Sequence, residues 1–188
     1  MALVKASLEL AGELGLVTTE LRARHNLGYL LHTEDPTGSS DSYLAGLELA
    51  RTMGDRAWEV NLAGNVIEQF TWFGRWSEAE ELIGELQDGE LPERTRLRFE
   101  VELARIAAFR GDPSGAARTM EGPWDRLAEE TDLQVRRVLD TCRAWISFAD
   151  GRLEEAYGVA VERAREDPFR HISPLVPALY TRNVARRR

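Results

Sequence analysis

The amino-acid sequence predicts an all-α protein in which antiparallel helix pairs stack side by side in a row. Apolar residues recur three and four positions apart along most of the 188 residues, which is the spacing of one face of a helix. Similar glycine turns begin at Gly74, Gly111 and Gly151, at intervals of 37 and 40 residues. No alternating run of β-branched and aromatic residues is present, so no strand is predicted.

Composition and charge exclude several functional classes. The net charge is -8, and an acidic field of this size repels phosphate backbones and anionic lipid. We therefore expect no nucleic-acid binding by this segment and no membrane binding, and no run of about 18 apolar residues is present. The single cysteine, Cys142, cannot form an internal disulfide, which fits a reducing compartment. The predicted location is cytoplasmic.

Four apolar faces define the clearest helices in chain order. They cover residues 58–73, 76–86, 135–149 and 153–164. Each helix is about 10 to 18 residues long and is joined to the next by a turn of a few residues. Short turns of this kind place consecutive helices antiparallel to one another.

Polar residues and glycines mark the predicted helix ends. Ser77 and Glu80 have the spacing of a capping box, in which each side chain satisfies a backbone N–H group at the start of a helix. Further predicted caps are Thr18, Asp132, and the pairs Asp112-Pro113 and Ser173-Pro174. The glycines predicted to end helices are Gly15, Gly54, Gly74, Gly111 and Gly151.

The recurring turns share a second feature, an alanine five positions after the glycine. These alanines are Ala79, Ala116 and Ala156. Glycine permits a tight reversal of the chain, and the alanine allows the second helix of a pair to approach its partner closely. A fixed period near this length is typical of stacked helix pairs, none of which can bury its apolar faces alone.

Three segments resemble the tetratricopeptide repeat (TPR), a helix pair of about 34 residues with small residues at set positions. They are Asn26-Leu27-Gly28-Tyr29, residues 74–82 and residues 151–164. The resemblance implies a single TPR-like right-handed solenoid domain over residues 1–188. Its repeats span residues 19–54, 56–88, 92–130 and 132–166, with partial repeats at 1–16 and 173–188.

The chain departs from the TPR pattern at three places. Ile67 stands where a small residue is expected, and the turn from Glu34 to Ser42 is irregular for this motif. Gly122-Pro123 is expected to break the second helix of the third repeat, because proline removes a helical hydrogen bond.

The residue pattern of the repeats, especially over residues 47–56, is similar to that of the helical arrays in large bacterial signalling proteins. These are ATPase transcriptional regulators of the LuxR type, their antibiotic-regulator relatives, and fused nucleotide cyclases. The similarity implies that the chain is the repeat segment of a larger regulator whose nucleotide-binding and DNA-binding parts lie elsewhere. The incomplete repeats at both ends fit that hypothesis.

Sequence motifs of catalysis and cofactor binding are missing. The chain has no phosphate-binding loop, dinucleotide fingerprint, nucleophile elbow or His-Glu-x-x-His motif, so we predict no enzyme and no cofactor. His25 and His32 lie seven positions apart, too far for a helical metal pair, and no metal site is predicted. Cys142 is predicted to be a core residue, and His171 a loop residue.

The resemblance also predicts the residues of a concave binding groove, which the first helices of TPR repeats line. The predicted groove residues are Arg22, His25, Asn26 and Tyr29, then Asn61, Asn65 and Glu68, then Arg98, Glu102 and Arg105, and finally Thr141, Trp145 and Phe148. Asn26 and Asn65 occupy equivalent positions. In the family, asparagines there hold the backbone of an extended peptide, and basic residues bind its carboxylates.

We therefore predict a non-catalytic scaffold for protein–protein interaction and regulation. Its partner is a peptide, another domain of the parent chain or a second copy of the protein. An alternative is an effector-sensing domain that binds a small molecule or peptide in the groove, with Trp72 or Trp145 in its wall. Trp72 is the aromatic residue least committed to packing, because Phe70 and Phe73 hold the buried stripe of that helix. A third hypothesis, an all-α enzyme, would require buried carboxylate pairs or a metal.

Overall fold

A computed structural model describes residues 1–127 and 133–166, and these residues form nine α-helices and no strand. The prediction of an all-α protein is confirmed. The helices are α1 (Ala2–Glu13), α2 (Val17–Leu31), α3 (Pro36–Met53), α4 (Arg56–Trp72), α5 (Trp76–Gln87), α6 (Glu93–Phe109), α7 (Pro113–Leu127), α8 (Leu133–Ala149) and α9 (Leu153–Glu166). Within the described part of the chain, no helix has both the length and the apolar character needed to cross a bilayer.

The chain divides into two compact units, residues 1–95 and the described residues from Arg96 onward. In the first unit each helix packs against the next one in the chain, from α1 through α5. In the second unit α7 packs against α8, and α8 packs against α9. Within each unit, the described turns of two to four residues make the helices that they join antiparallel.

The five predicted helix-ending glycines all adopt the left-handed conformation. Their φ angles lie between 64° at Gly15 and 79° at Gly111. A residue with a Cβ atom pays a steric penalty in this region, whereas glycine does not. After each of these glycines the chain reverses and the next helix begins within one or two residues. The prediction of these helix ends is confirmed.

Two helix starts are capped by an Asp-Pro pair. Asp112 Oδ1 accepts a hydrogen bond of 2.8 Å from the Gly115 backbone N–H, as the sequence predicts. Asp35 Oδ1 accepts a corresponding bond of 3.0 Å from the Gly38 N–H at the start of α3. The turn from residue 34 to residue 42, expected to be irregular, therefore contains an ordinary capped helix start.

Three other predictions about helix ends need correction. α5 begins at Trp76, its N-cap residue is Arg75 and no side chain caps it, so Ser77 lies inside the helix and starts no capping box. α2 begins at Val17, so Thr18 lies inside the helix. α7 continues through Pro123 to Leu127, and the predicted break is absent. The predicted caps Asp132 and Ser173, and the predicted loop residue His171, lie outside the described residues.

Small residues lie in the closest helix contacts of both units. Ala79, Ala116 and Ala156 are completely buried, each at the fourth residue of the second helix of a pair. Ser39 occupies the same place in α3, and its Oγ donates a 2.7 Å hydrogen bond to the Gly28 carbonyl oxygen. The complete burial of the alanines agrees with their predicted role in close helix packing.

The core of the second unit is formed jointly by α6, α7 and α8. Its buried members are Val101, Ala104, Ala108, Ala116, Met120, Leu139, Cys142 and Ile146. Cys142 is a core residue, as predicted, and burial raises the pKa of its thiol to about 12. In the first unit the buried stripe of α4 ends at Phe70; Phe73 is 51% exposed and Trp72 is half-buried, contrary to the expectation that Phe73 is buried.

Candidate functional site

Side-chain contacts join α2 to α4 at two levels in the first unit. The His25 ring meets the Trp58 ring edge to face, with centroids 6.1 Å apart. Nε2 of Gln69 lies 2.7 Å from Nδ1 of His32, the residue that follows the last residue of α2. Because residue numbers rise in the same direction along both helices, α2 and α4 run parallel and side by side. The α3 helix packs against both of them.

These two parallel helices carry seven of the predicted groove residues, which we call the α2/α4 face. Arg22, Asn26, Tyr29 and Asn61 are exposed, and His25, Asn65 and Glu68 are half-buried. On each helix the members recur at steps of three or four positions, with His25 and Asn26 adjacent to each other, and therefore lie on one side of it. The aromatic ring of Tyr29 is notable, because the residue is 53% exposed. The structure therefore presents amide, phenol and guanidinium groups on two neighbouring helices.

The predicted groove residues of the second unit lie differently. Glu102 and Arg105 are only 2% and 3% exposed, and Nη1 of Arg105 lies 3.2 Å from Oε2 of Glu102. Contact with a partner requires exposure that these two side chains lack. The surrounding residues of α6, including Phe99 and Ile106, are also buried, so this helix is covered on several sides. Whether a charged residue is buried by neighbouring elements cannot be predicted from its position in the sequence.

The other predicted groove residues of this unit are Arg98, Thr141, Trp145 and Phe148. Arg98 and Trp145 are half-buried and Thr141 is buried. The Trp145 ring packs at right angles to the Phe109 ring, with centroids 4.8 Å apart, and its centroid lies 6.0 Å from that of Phe148. These residues contribute to packing between helices, as is usual for half-buried aromatics.

The second unit contains a cleft that sequence reasoning missed. It has a volume of about 460 Å³ and lies among α7, α8 and α9. We call it the α7–α9 cleft. Its walls are formed by Ala117, Trp124, Arg143, Ile146, Ser147, Arg152 and Glu155. The tryptophan in this cleft is Trp124, whereas the sequence singles out Trp72 and Trp145 for a ligand-binding role.

Charged groups at this cleft are linked to one another. Arg143 Nε donates a 3.3 Å hydrogen bond to Glu155, and Arg152 also pairs with that carboxylate. Burial acts to raise the pKa of Glu155, but the charges and hydrogen bonds of Arg152 and Arg143 outweigh it and lower that pKa. Arg152 also donates to Asp150, and this hydrogen bond is the main cause of its raised pKa. The Glu155 carboxylate is therefore ionised at neutral pH.

Metal binding has no candidate in the part of the chain that the structure describes, where no three His, Cys, Asp or Glu residues are grouped as ligands would be. Comparison of the chain with protein-family models, with curated proteins and with solved structures gave no match. The functional assignment therefore depends on the two surfaces described above.

Proposed function

We propose that the chain is a non-catalytic helical-repeat module whose α2/α4 face binds an extended peptide segment, either of a partner protein or of another domain of its parent chain. The observation that carries the proposal is the exposure of Asn26, Tyr29 and Asn61 on two parallel, adjacent helices. Asparagine offers both a donor and an acceptor, the same pair of groups that a peptide backbone presents. An exposed tyrosine supplies apolar contact area at a low cost in conformational entropy.

The arrangement of helices supports a repeat architecture of the tetratricopeptide type. In the first unit, α2 and α4 are parallel neighbours while α3 packs against both. In the second unit, Cys142 Sγ of α8 lies 3.8 Å from the Val101 carbonyl of α6, and the Phe109 and Trp145 rings meet further along the same helices. In both units, therefore, helices that are two places apart in the chain lie next to each other. A right-handed TPR-like solenoid requires this alternation of first and second helices. An experimental structure of the full-length protein would test the handedness.

A role in a bacterial signalling or transcriptional regulator, located in the cytoplasm, belongs to the same proposal. A repeat module without chemistry acts by binding, so its output has to come from other domains. The reading frames on both sides of this stretch test this part of the proposal. A nucleotide-binding domain before it and a helix-turn-helix domain after it are the expected result, and an unrelated pair of flanking domains would contradict the regulator assignment.

Peptide binding can be tested by selection from a random dodecamer display library against the purified chain. Selected peptides are expected to shift backbone amide signals of α2 and α4 in a ¹⁵N–¹H spectrum. The combined substitution Asn26→Ala, Tyr29→Ala and Asn61→Ala should weaken binding at least tenfold, because it removes the proposed backbone contacts and the aromatic anchor.

The matched control replaces three exposed polar residues of the first unit outside this face, Glu48→Ala, Glu81→Ala and Gln87→Ala. The control protein should bind the selected peptides with unchanged affinity. Peptides that bind both triple variants equally well, or that shift signals only outside α2 and α4, would exclude the α2/α4 face as the binding site.

A further inference from the structure

The α7–α9 cleft combines an apolar wall with a polar floor and a charged rim. Trp124, Ile146 and Ala117 supply the apolar surface. Ser147 is completely buried, and Arg143, Arg152 and Glu155 are partly exposed. A volume of about 460 Å³ falls in the range of small-molecule sites in proteins. Apolar walls with a few convergent polar groups are the usual composition of such sites.

The Ser147 hydroxyl is the group that most clearly indicates a ligand. Its Oγ atom is buried and makes no hydrogen bond within the described residues. A serine inside a helix ordinarily donates to the carbonyl four residues earlier, which satisfies the hydroxyl locally. Burial of a hydroxyl without a partner costs free energy, so buried polar atoms without partners are rare and call for an explanation. Ser147 lies in the cleft lining but has no exposed surface, so a bound molecule would supply the missing partner by displacing the side chains that cover Oγ.

The charges around the cleft indicate the sign of that molecule. Arg143 and Arg152 place two guanidinium groups in its lining beside the carboxylate of Glu155, and Arg152 is also paired with the Asp150 carboxylate outside the lining. The Arg143 side chain is 60% exposed, and its one hydrogen bond to Glu155 leaves most of its five N–H donors for other acceptors. These remaining donors of a permanently charged guanidinium favour an anionic acceptor at the rim.

We propose that the α7–α9 cleft binds a small aromatic carboxylic acid that carries a hydroxyl group on its ring. The carboxylate pairs with Arg143 at the rim, the ring packs against Trp124 and Ile146, and the ligand hydroxyl bonds to Ser147 Oγ. This inference is independent of the α2/α4 face, since every residue involved lies in the second unit. Ligand binding here is a second function beside peptide docking.

A simple probe with all three features is 3-(4-hydroxyphenyl)propionate. Two relatives each lack one feature: 3-phenylpropionate has no hydroxyl, and 3-(4-hydroxyphenyl)propionamide has no charge. Binding is measured by titration of the full chain, followed at the indole N–H signal of Trp124, which is assigned with a Trp124→Phe variant. A saturable shift is expected with the hydroxylated acid, and weaker binding with each relative.

Three substitutions separate the contributions of the cleft residues. Ser147→Ala should weaken binding of the hydroxylated acid about 5-fold and leave 3-phenylpropionate unchanged, because only the former bonds to Oγ. Arg143→Gln should weaken both acids about 10-fold and leave the amide unchanged. The matched control Arg118→Gln, at an exposed position of α7 outside the cleft, should change nothing.

The thermal midpoint of the unliganded Ser147→Ala protein gives an independent readout. Because Oγ makes no hydrogen bond in the described structure, its removal should not lower the midpoint. Ala117→Trp, at an exposed position of the lining, fills the cleft without disturbing the core and should abolish the Trp124 shift. The proposal is overturned if no probe gives a saturable shift, if Ala117→Trp binds as well as wild type, or if Ser147→Ala weakens both acids equally.

Discussion

At the scale of single residues, the second helix of each pair is positioned by one small buried side chain. Ala79, Ala116 and Ala156 have no exposed surface, and Ser39 replaces alanine at the corresponding place in α3. Packing in protein interiors is close to that of organic crystals, so these positions have no room for a larger side chain. The glycine turn before each alanine reverses the chain, so that the second helix returns close to the first.

Ala79→Leu and Ala156→Leu are therefore expected to destabilise the protein by about 1 to 3 kcal/mol each, because a larger side chain overpacks the helix contact. Urea denaturation of each variant measures the effect. Ala57→Leu, at an exposed position near the start of α4, is the matched control and should change stability by less than about 0.5 kcal/mol. Equal midpoints for all three variants would contradict the assigned helix pairing.

The buried thiol of Cys142 makes stability depend on alkaline pH. Its folded-state pKa is about 12, whereas the pKa of an unfolded cysteine is about 8.5. Above the lower value the unfolded chain loses the thiol proton and the folded chain keeps it, so stability falls as pH rises from about 9 toward 12. The limiting slope is about 1.4 kcal/mol per pH unit.

Urea denaturation at pH 8 and pH 10 checks this dependence by comparison of wild type with Cys142→Ala. Wild type is expected to lose roughly 2 kcal/mol more stability between the two pH values than the variant. Titration of lysine and tyrosine residues affects both proteins and cancels in the difference. An equal loss in the two proteins would show that Cys142 is not protected from ionisation.

At the scale of helices, an Asp-Pro-x-Gly segment is a repeated start signal. It occurs at the beginning of α3 and of α7, and in both cases the aspartate accepts a hydrogen bond from the glycine N–H. A Cβ atom added at Gly115 would lie 2.1 Å from Asp112 Oδ2, and one at Gly38 would lie 2.4 Å from Asp35 Oδ2. A side chain at this glycine would therefore displace the capping carboxylate.

A double-mutant cycle tests this dependence at α7. Asp112→Ala should cost about 0.5 to 2 kcal/mol through loss of the cap. Gly115→Ala should destabilise the wild type, because Asp112 has to move away. In the Asp112→Ala background the same substitution should be neutral or stabilising by up to about 1 kcal/mol, because alanine is the better helix former. Additive effects of the two substitutions would refute the coupling.

The helices and their glycine ends could be predicted from the sequence because both depend on local patterns. Periodicity of apolar residues reports a helical face, and a glycine after such a face reports a left-handed end. Helix starts were harder to predict. Ser77 has the spacing of a cap, yet α5 already begins at Trp76, and α7 tolerates Pro123. Alternatives of similar free energy compete at these positions, and tertiary packing selects one.

The candidate sites were predictable only in part, since accessibility is a property of the whole fold. The sequence register placed Asn26, Tyr29 and Asn61 on helix surfaces, and they are exposed. The same register included Glu102 and Arg105, which are buried as an ion pair. Ser147 carries no sequence signal at all, because a serine in a helix is usually solvated or bonded to its own backbone.

At the scale of the whole molecule, the first unit is held together mainly by contacts between helices that follow one another in the chain. Architectures of this kind have stabilities that are approximately sums of local and nearest-neighbour terms. Opening of one helix therefore exposes its neighbours first, and more distant helices later.

Native-state hydrogen exchange of Ala79→Leu should reveal this local behaviour. Amides of α4 and α5 are expected to lose protection, whereas amides of α1, which packs against α2, should exchange at nearly the wild-type rate. Ala57→Leu serves again as the control and should leave all rates unchanged. Uniform loss of protection from α1 to α5 would instead indicate a single cooperative opening of the unit.

The five left-handed glycines allow the backbone cost of a side chain to be compared at five turns of the same protein. At each of them a methyl group in place of the α-hydrogen would have no neighbour within 4 Å, so an alanine there would bring the backbone penalty alone, uncomplicated by crowding. One chemical change could thus be introduced at five comparable reversals of a single chain. Differences among the five measured losses of stability would rank the turns by how readily the backbone of each relaxes. At crowded positions, clashes with neighbouring atoms would obscure this property.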